Sequence, residues 1–251
     1  MLSLKEKLRQ QACIGTLLGI DSPDVAEILA LAGFDWLFVD LEHSTLSPAM
    51  LKDIIRAVRS VRKDCAVIAR VPLNDTIWLK RVLDAGCDGV IIPQVNSAHE
   101  AKIAIDNTKY RPLGTRGIGA GRAHGFGHTF KEYIEAANDS VLTILQIESI
   151  DGAEHIDDIL KVKGIDAIFV GPYDLSDSMG LRSQVDHAKV KETIVKIQSA
   201  CEKRSVPTGI FVAGHEAAKM WIAEGFRLVT MGTDTSYVAQ AAKEALKAVR
   251  S

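Results

Sequence analysis

The sequence predicts an α/β protein, one (β/α)8 TIM barrel domain spanning residues 1–251. Three observations point there. Eight short apolar runs recur along the chain, and each is followed by a longer amphipathic stretch. The runs are nearly uninterrupted Val, Ile and Leu, as expected of strands buried on both faces of a parallel sheet. The length of 251 residues suits eight strand–helix units. An open doubly wound sheet is the alternative, because periodicity does not prove closure.

The runs, in order, are Cys13–Ile20, Trp36–Leu41, Val67–Val71, Gly89–Val95, Val141–Ile147, Ala167–Val170, Thr208–Val212 and Leu228–Met231. A short helix leads into the first. Lys5, Lys7 and Arg9 before an apolar run resemble a signal peptide, but Glu6 interrupts the basic part and Asp21-Ser22-Pro23-Asp24 replaces a small-residue cleavage site. Ser22-Pro23, Ser47-Pro48 and Asn74-Asp75 open helices, with proline at the favoured first position in two of them. Ser97 opens another, with Glu100 at capping-box spacing. Gly33, Gly86, Gly164 and Gly225 stand where helices end before the next strand. The connection from Val95 to Val141 is unusually long. It holds a helix, a Gly- and Arg-rich segment and a second short helix.

Composition narrows the function classes. Thirty Lys+Arg against 32 Asp+Glu leave a formal net charge of −2, so no nucleic-acid footprint is visible. No apolar stretch reaches membrane-span length. The four scattered cysteines form neither a zinc pattern nor a disulfide framework, and a reducing cytoplasm is the expected location.

In such a barrel the reacting groups sit at the C-terminal ends of the strands. The second run ends Asp40-Leu41-Glu42-His43 and the third at Arg70. The fifth ends Gln146-Ile147-Glu148 and the sixth leads to Gly171-Pro172-Tyr173-Asp174. Gln146 and Glu148 share one face of a strand, and Asp174 follows the neighbouring strand. Two converging carboxylates need a shared proton or a hard divalent cation completed by water and substrate oxygens. Pairing with arginines as mere loop caps is the plainer reading. Arg70 either pairs with an acid or offers its planar fork to an anionic substrate. His43, in acidic company, is a candidate general base. The segment Gly114–Arg122 lacks the Gly-Lys-Ser/Thr of a Walker motif; a tight turn over the mouth is expected, with Arg116 or Arg122 meeting an anion or a neighbouring subunit. No lysine falls in any run, which argues against Schiff-base chemistry and leaves a metal Lewis acid as the route to an enolate.

These segments, with Ala69-Arg70-Val71-Pro72, Leu83-Asp84-Ala85-Gly86, Gly114-Thr115-Arg116-Gly117 and Phe169–Ser176, resemble in order and spacing the HpcH/HpaI family of class II pyruvate aldolases. The family includes 4-hydroxy-2-oxoheptanedioate and 2-dehydro-3-deoxyglucarate aldolases, and the resemblance runs from about Gly15 to Gly232. It implies His43 as general base, Asp84 as the acid raising its basicity, and Arg70 as stabiliser of the developing oxyanion. It implies Glu148 and Asp174 as ligands of Mg2+, Mn2+ or Co2+, with Gln146, Tyr173 and Asp174 binding substrate, Tyr173 through its backbone amide. Asp84 reads by pattern alone as an ordinary helix residue. The implied reaction joins pyruvate to an aldehyde, or cleaves a 4-hydroxy-2-oxo acid, through a metal-stabilised enolate. The implied assembly is a homohexamer, a trimer of dimers sharing active sites. Two departures stand out: Leu41 replaces the usual glycine with Ser44-Thr45 after the histidine, and Tyr173 replaces a small residue. Two other readings compete. Citrate-type acyl-CoA chemistry on the same barrel would need Arg116 and Arg122 as a phosphate groove. A non-catalytic assembly barrel would need the site to be vestigial.

Overall fold

The computed structural model describes residues 2–250. Eight strands among them close into one all-parallel barrel in chain order: β1 (Cys13–Leu18), β2 (Trp36–Asp40), β3 (Ala66–Arg70), β4 (Gly89–Ile92), β5 (Leu142–Ile147), β6 (Ala167–Val170), β7 (Thr208–Val212) and β8 (Leu228–Thr233). The expected barrel is the observed one, and the open sheet is excluded because β1 pairs with β8.

The strand period of two sorts side chains into two layers. Trp36 and Phe38 on β2, Ala66 and Ile68 on β3, Leu142 and Ile144 on β5, and Ala167 and Phe169 on β6 point into the barrel. Leu37, Val39, Val67, Ala69, Leu145, Ile147, Ile168 and Val170 point out, into the larger core beneath the helices. Three rings fill the interior, with Phe38 and Phe169 edge to face at 5.6 Å. They fit because Gly15 faces the Trp36 indole: a Cβ there would lie 2.5 Å from the ring.

Helix α1 (Leu4–Leu8) closes the N-terminal end of the barrel with Leu4 and Leu8. A reciprocal capping box between Ser3 and Glu6 starts it. Around the barrel follow α2 (Pro23–Leu31), α3 (Pro48–Val61), α4 (Thr76–Ala85) and α5 (Ala98–Thr108), capped by Ser22, Ser47, Asp75 and Ser97. The four glycines expected at helix ends all have φ between 92° and 107°.

The long connection runs from the end of α5 through a 3-10 turn (Arg122–Gly127) to α6 (Phe130–Ser140). It sits at the N-terminal face, not over the mouth. Lys109 is buried there, donating to the Val141 carbonyl at 2.7 Å and pairing with Asp166 at 2.8 Å. Asp166 also holds Lys5 of α1 at 2.7 Å. The chain continues through α7 (Ile150–Glu154), α8 (Ile156–Ile159), α9 (Pro172–Ser178), α10 (Ala188–Glu202) and α11 (His215–Ala223) to α12 (Asp234–Arg250). Beyond Tyr237 every described residue of α12 is exposed, including Val238, Leu246 and Val249. Among the described residues no helix is long and apolar enough to cross a membrane.

Candidate active site

The inward columns of the barrel end in polar groups at its C-terminal mouth. Continuing Trp36 and Phe38 by one period gives Asp40; continuing Ala66 and Ile68 gives Arg70. These two residues are register partners across β2 and β3. Arg70 grips Asp40 with both arms of its fork, Nε to Oδ1 at 2.9 Å and Nη2 to Oδ2 at 2.8 Å. Its third nitrogen, Nη1, lies 3.1 Å from Glu42 Oε2. That contact is an ion pair without an aligned hydrogen bond, since Glu42 Oε2 is otherwise buried and unpartnered. Arg70 is 8% exposed, and its guanidinium stands over the Phe38 ring at 5.2 Å. Burial pushes the Asp40 carboxyl up, but the hydrogen bonds and charge of Arg70 outweigh it and hold it below its ordinary range.

Asp40 also builds the loop after β2. Its Oδ1 accepts from the backbone N–H of Glu42 at 3.1 Å and of His43 at 3.4 Å, and its carbonyl accepts from the Ser44 hydroxyl. The turn throws Leu41 outward into the core beneath the helices, which accounts for an apolar residue at that position. It leaves His43 at the rim, with its side chain 66% exposed and Nε2 3.7 Å from Glu42 Oε2.

Leu142, Ile144, Gln146 and Glu148 form the β5 column. Gln146 donates through Nε2 to Glu148 Oε2, while Gln146 Oε1 is buried with no partner. Glu148 Oε1 accepts from the backbone N–H of Gln94 at 2.8 Å. Gln94 presents that N–H from a left-handed backbone, φ 54°. Gly171, the next inward position after Phe169 on β6, leaves room for the carboxylate: a Cβ there would lie 2.7 Å from Glu148 Oε2. Burial raises the Glu148 carboxyl above its ordinary range and the charge of Asp174 raises it further, against the hydrogen bonds from Gln146 and Gln94. Glu42 is likewise raised by burial, with Arg70 opposing and Glu148 adding.

Two cavities open at the mouth. One of about 230 Å³ is lined by Glu42, His43, Gln94, Asn96, Glu148, Ser149 and Asp174. The other, of about 170 Å³, lies among Arg70, Gln146, Tyr173 and a set of apolar side chains, and shares His43 and Asp174 with the first. The structure therefore brings together His43, Arg70, Gln146, Glu148, Tyr173 and Asp174. Glu42, Gln94 and Asn96 join them without a role read from the sequence; the one signal was their place just past strand ends two and four.

Asp84 is not among them. It lies one residue from the end of α4, a helix that starts near the mouth and descends about 12 Å over its length to that point. There it accepts from Arg116 Nη2 at 2.8 Å. Arg116 is 4% exposed, flanked by the rings of Tyr110 and Tyr133 at 4.7 and 5.6 Å. Arg122 Nη1 donates to the Ala85 carbonyl at 3.2 Å. The expectation that these arginines turn over the mouth is therefore corrected. A buried guanidinium needs a carboxylate and ring faces, and Arg116 finds them at the other end. Arg116 is spent, so the groove required by acyl-CoA chemistry lacks one of its two cations.

The carboxylates fit a divalent cation of the magnesium type. Among the described residues no three His, Cys, Asp or Glu side chains form a ready-made cage, as a structural zinc site would require. A Glu148 carboxyl raised by burial and by the nearby charge of Asp174, beside the orphaned Gln146 Oε1, suits a hard ion that takes one or two carboxylates and fills its shell with water and substrate oxygens.

Fold and site together define a barrel enzyme whose charged groups meet at the C-terminal mouth. The sequence profile of HpcH/HpaI aldolase/citrate lyase matches residues 14–241, and the chain belongs to that family. It is an aldolase, a carbon–carbon lyase. It is 36% identical over 254 residues to the hydroxypyruvate/pyruvate aldolase of Paraburkholderia phytofirmans, covering 99% of this chain and 97% of that one. It is 37% identical to the 2-dehydro-3,6-dideoxy-6-sulfogluconate aldolase of Pseudomonas putida, covering 96% and 94%. The crystal structure of an HpcH/HpaI aldolase/citrate lyase family protein from Burkholderia cenocepacia superposes with a TM-score of 0.95 at 32% identity, covering 99% of both chains.

Proposed function

We propose that this enzyme is a class II pyruvate aldolase that forms and cleaves 4-hydroxy-2-oxo acids, with pyruvate and an aldehyde as its small-molecule partners. The observation that carries the reading is the meeting of Glu148, Asp174, Arg70 and His43 around two adjoining cavities. Glu148 and Asp174 would hold Mg2+, Mn2+ or Co2+. When bound, such an ion supplies Lewis acidity to a 2-oxo acid and positive charge opposite its enolate.

The chain's own groups do the rest. Arg70, locked by Asp40, keeps a cation at the cavity floor where the oxyanion develops, with no reorganisation during the reaction. Gln146 Oε1 has unspent lone pairs for a substrate proton. Tyr173 and Asp174 offer first-turn N–H groups of α9 to the substrate carboxylate. In the forming direction pyruvate gives up a methyl proton to water at the mouth, the enolate carbon's electron pair bonds to the aldehyde carbon, the carbonyl pair moves onto oxygen, and His43 delivers a proton there. Cleavage reverses each step, with His43 taking the hydroxyl proton.

Asp84 serves His43 from a neighbouring copy, since in its own chain the two lie at opposite ends of the barrel. A trimer of dimers answers that need. The exposed apolar residues of α12 give a second copy something to cover. The four buried, unpaired cysteines support a cytoplasmic location.

The test is exchange of pyruvate methyl protons in D2O, which needs no aldehyde. Exchange should require a divalent metal, stop in EDTA and return with Mg2+, Mn2+ or Co2+. Exchange surviving exhaustive chelation overturns the mechanism.

A further inference from the structure

The Asp84 carboxylate is held at one oxygen and bare at the other. Its Oδ1 accepts from Arg116 Nη2 at 2.8 Å, while among the described residues no group donates to Oδ2. The side chain is 22% exposed. Gly119 beside it has no side chain to cover Oδ2, and a Cβ there would stand 3.8 Å away. Asp40 is the contrast, since both of its oxygens take the fork of Arg70. A carboxylate present only to neutralise a buried guanidinium gains most from that two-oxygen grip. Asp84 forgoes it and keeps lone pairs at the surface.

Arg116 is built to hold it there. Its side chain is fully buried, with the guanidinium 4.7 Å from the Tyr110 ring centre and 5.6 Å from that of Tyr133. Nη1 donates to the Tyr133 hydroxyl at 3.3 Å, and Nε has no partner. The Tyr110 hydroxyl in turn meets His124 Nε2 at 3.0 Å. His124 is fully buried, its Nδ1 unpartnered and its ring T-shaped against Tyr133 at 4.6 Å. Burial lowers its pKa, with the charge of Asp84 opposing and Arg116 adding, so at neutral pH it puts no second cation beside Asp84. Close approach of the backbone completes the group: a Cβ on Gly121 would lie 2.9 Å from the Asp84 carbonyl oxygen. Two buried nitrogens without partners are a cost. Apolar side chains of similar volume would often hold the fold as well.

We propose that Arg116 is a positioning residue for the aldol step. Braced by Tyr110, Tyr133 and His124, it fixes Asp84 through Oδ1 and leaves Oδ2 to accept the His43 N–H of a neighbouring copy. The inference rests on the reading that Asp84 serves such a histidine, and it adds the residues that aim the carboxylate. A planar group held between two rings sets that direction before the copies meet, so their joining orders Asp84 little further.

The test measures two rates on each variant. One is cleavage of 4-hydroxy-2-oxopentanoate, which uses His43. The other is metal-dependent exchange of pyruvate methyl protons, which does not. Cleavage relative to exchange should fall about tenfold or more in Arg116→Leu. Arg116→Lys, which keeps the charge without the planar fork, should recover part of the loss. On an Asp84→Ala background Arg116→Leu should cost nothing further, because the carboxylate it aims is gone. Refolded together with His43→Ala, Arg116→Leu should regain cleavage. Refolded with Asp84→Ala it should not, because both defects then fall on the same side of every shared site. Equal loss of the two rates, or an additive loss on the Asp84→Ala background, overturns the positioning role. Should Arg116→Leu fail to fold, Arg116→Lys and Tyr133→Phe carry the same ratio, and wild-type ratios in both overturn it too. Wild-type cleavage in Asp84→Ala overturns the reading of Asp84 and this proposal with it. Absence of exchange in the wild-type enzyme overturns the aldolase reading itself.

Discussion

Arg70 is held so tightly that its removal acts twice. Asp40 occupies two of its nitrogens and Glu42 faces the third. Arg70→Ala removes a fixed cation from the oxyanion position, a loss of about 3 kcal/mol of transition-state stabilisation. Steady-state kinetics should show it in kcat; a change confined to KM contradicts the role. The substitution also strands the buried carboxylate of Asp40 and the half-buried one of Glu42. The same pair makes stability depend on pH. Asp40 is held below its ordinary value, so between its folded and unfolded pKa the unfolded chain binds more protons. Its contribution is fully present above the unfolded pKa of about 3.9 and is lost as pH falls through the folded one. Urea midpoints measured on acidification should therefore fall more steeply for wild type than for Asp40→Asn, and identical slopes would remove Asp40 from the account.

Individual elements divide between the two ends of the barrel. Strand ends carry the candidate site, whereas α1 and the segment after α5 brace the opposite face. Leu8 is 1% exposed in the plug that α1 inserts. Leu8→Ala should cost about 2–5 kcal/mol of stability by denaturant titration. Pyruvate exchange at room temperature should be unchanged, because the plug is a barrel's length from Glu148. Loss of exchange in a folded variant would show the two ends to be coupled. The bracing face also holds Asp84, clamped by Arg116 in a cage of tyrosines. That clamp fixes a carboxylate far from any group of its own chain on which it could act in catalysis.

At the scale of the molecule this separation predicts shared sites. His43→Ala and Asp84→Ala should each be poorly active alone. Unfolding and refolding them together should restore activity that neither has, because mixed assemblies contain sites with an intact histidine and an intact aspartate. Mixtures no better than the parents would place Asp84 outside the reaction. Helix α12, bare beyond Tyr237, is the visible sign that one copy does not bury all of its apolar surface.

Much of this was legible in the chain. The apolar runs fall on the eight strands to within a few residues, because a doubly buried strand has no room for charge. The period of two already carried Gln146 to the same face as Glu148, and the strand ends marked Arg70 and His43. The resemblance supplied Asp84, which no periodicity distinguishes from a solvent-facing helix residue. The place of Gly114–Arg122 between a helix and the next strand was the unused signal that it belongs to the N-terminal face. Only the tertiary structure decided what depends on distance between remote segments. It showed that Arg70 is held by Asp40 and faces Glu42, that Leu41 packs outward, and that Phe211 comes to stand beside Tyr173. Local sequence fixes which way a side chain faces along its strand or helix. Closure of the barrel sets which side chains from other strands stand opposite, and that choice made one side of the mouth polar and the other apolar.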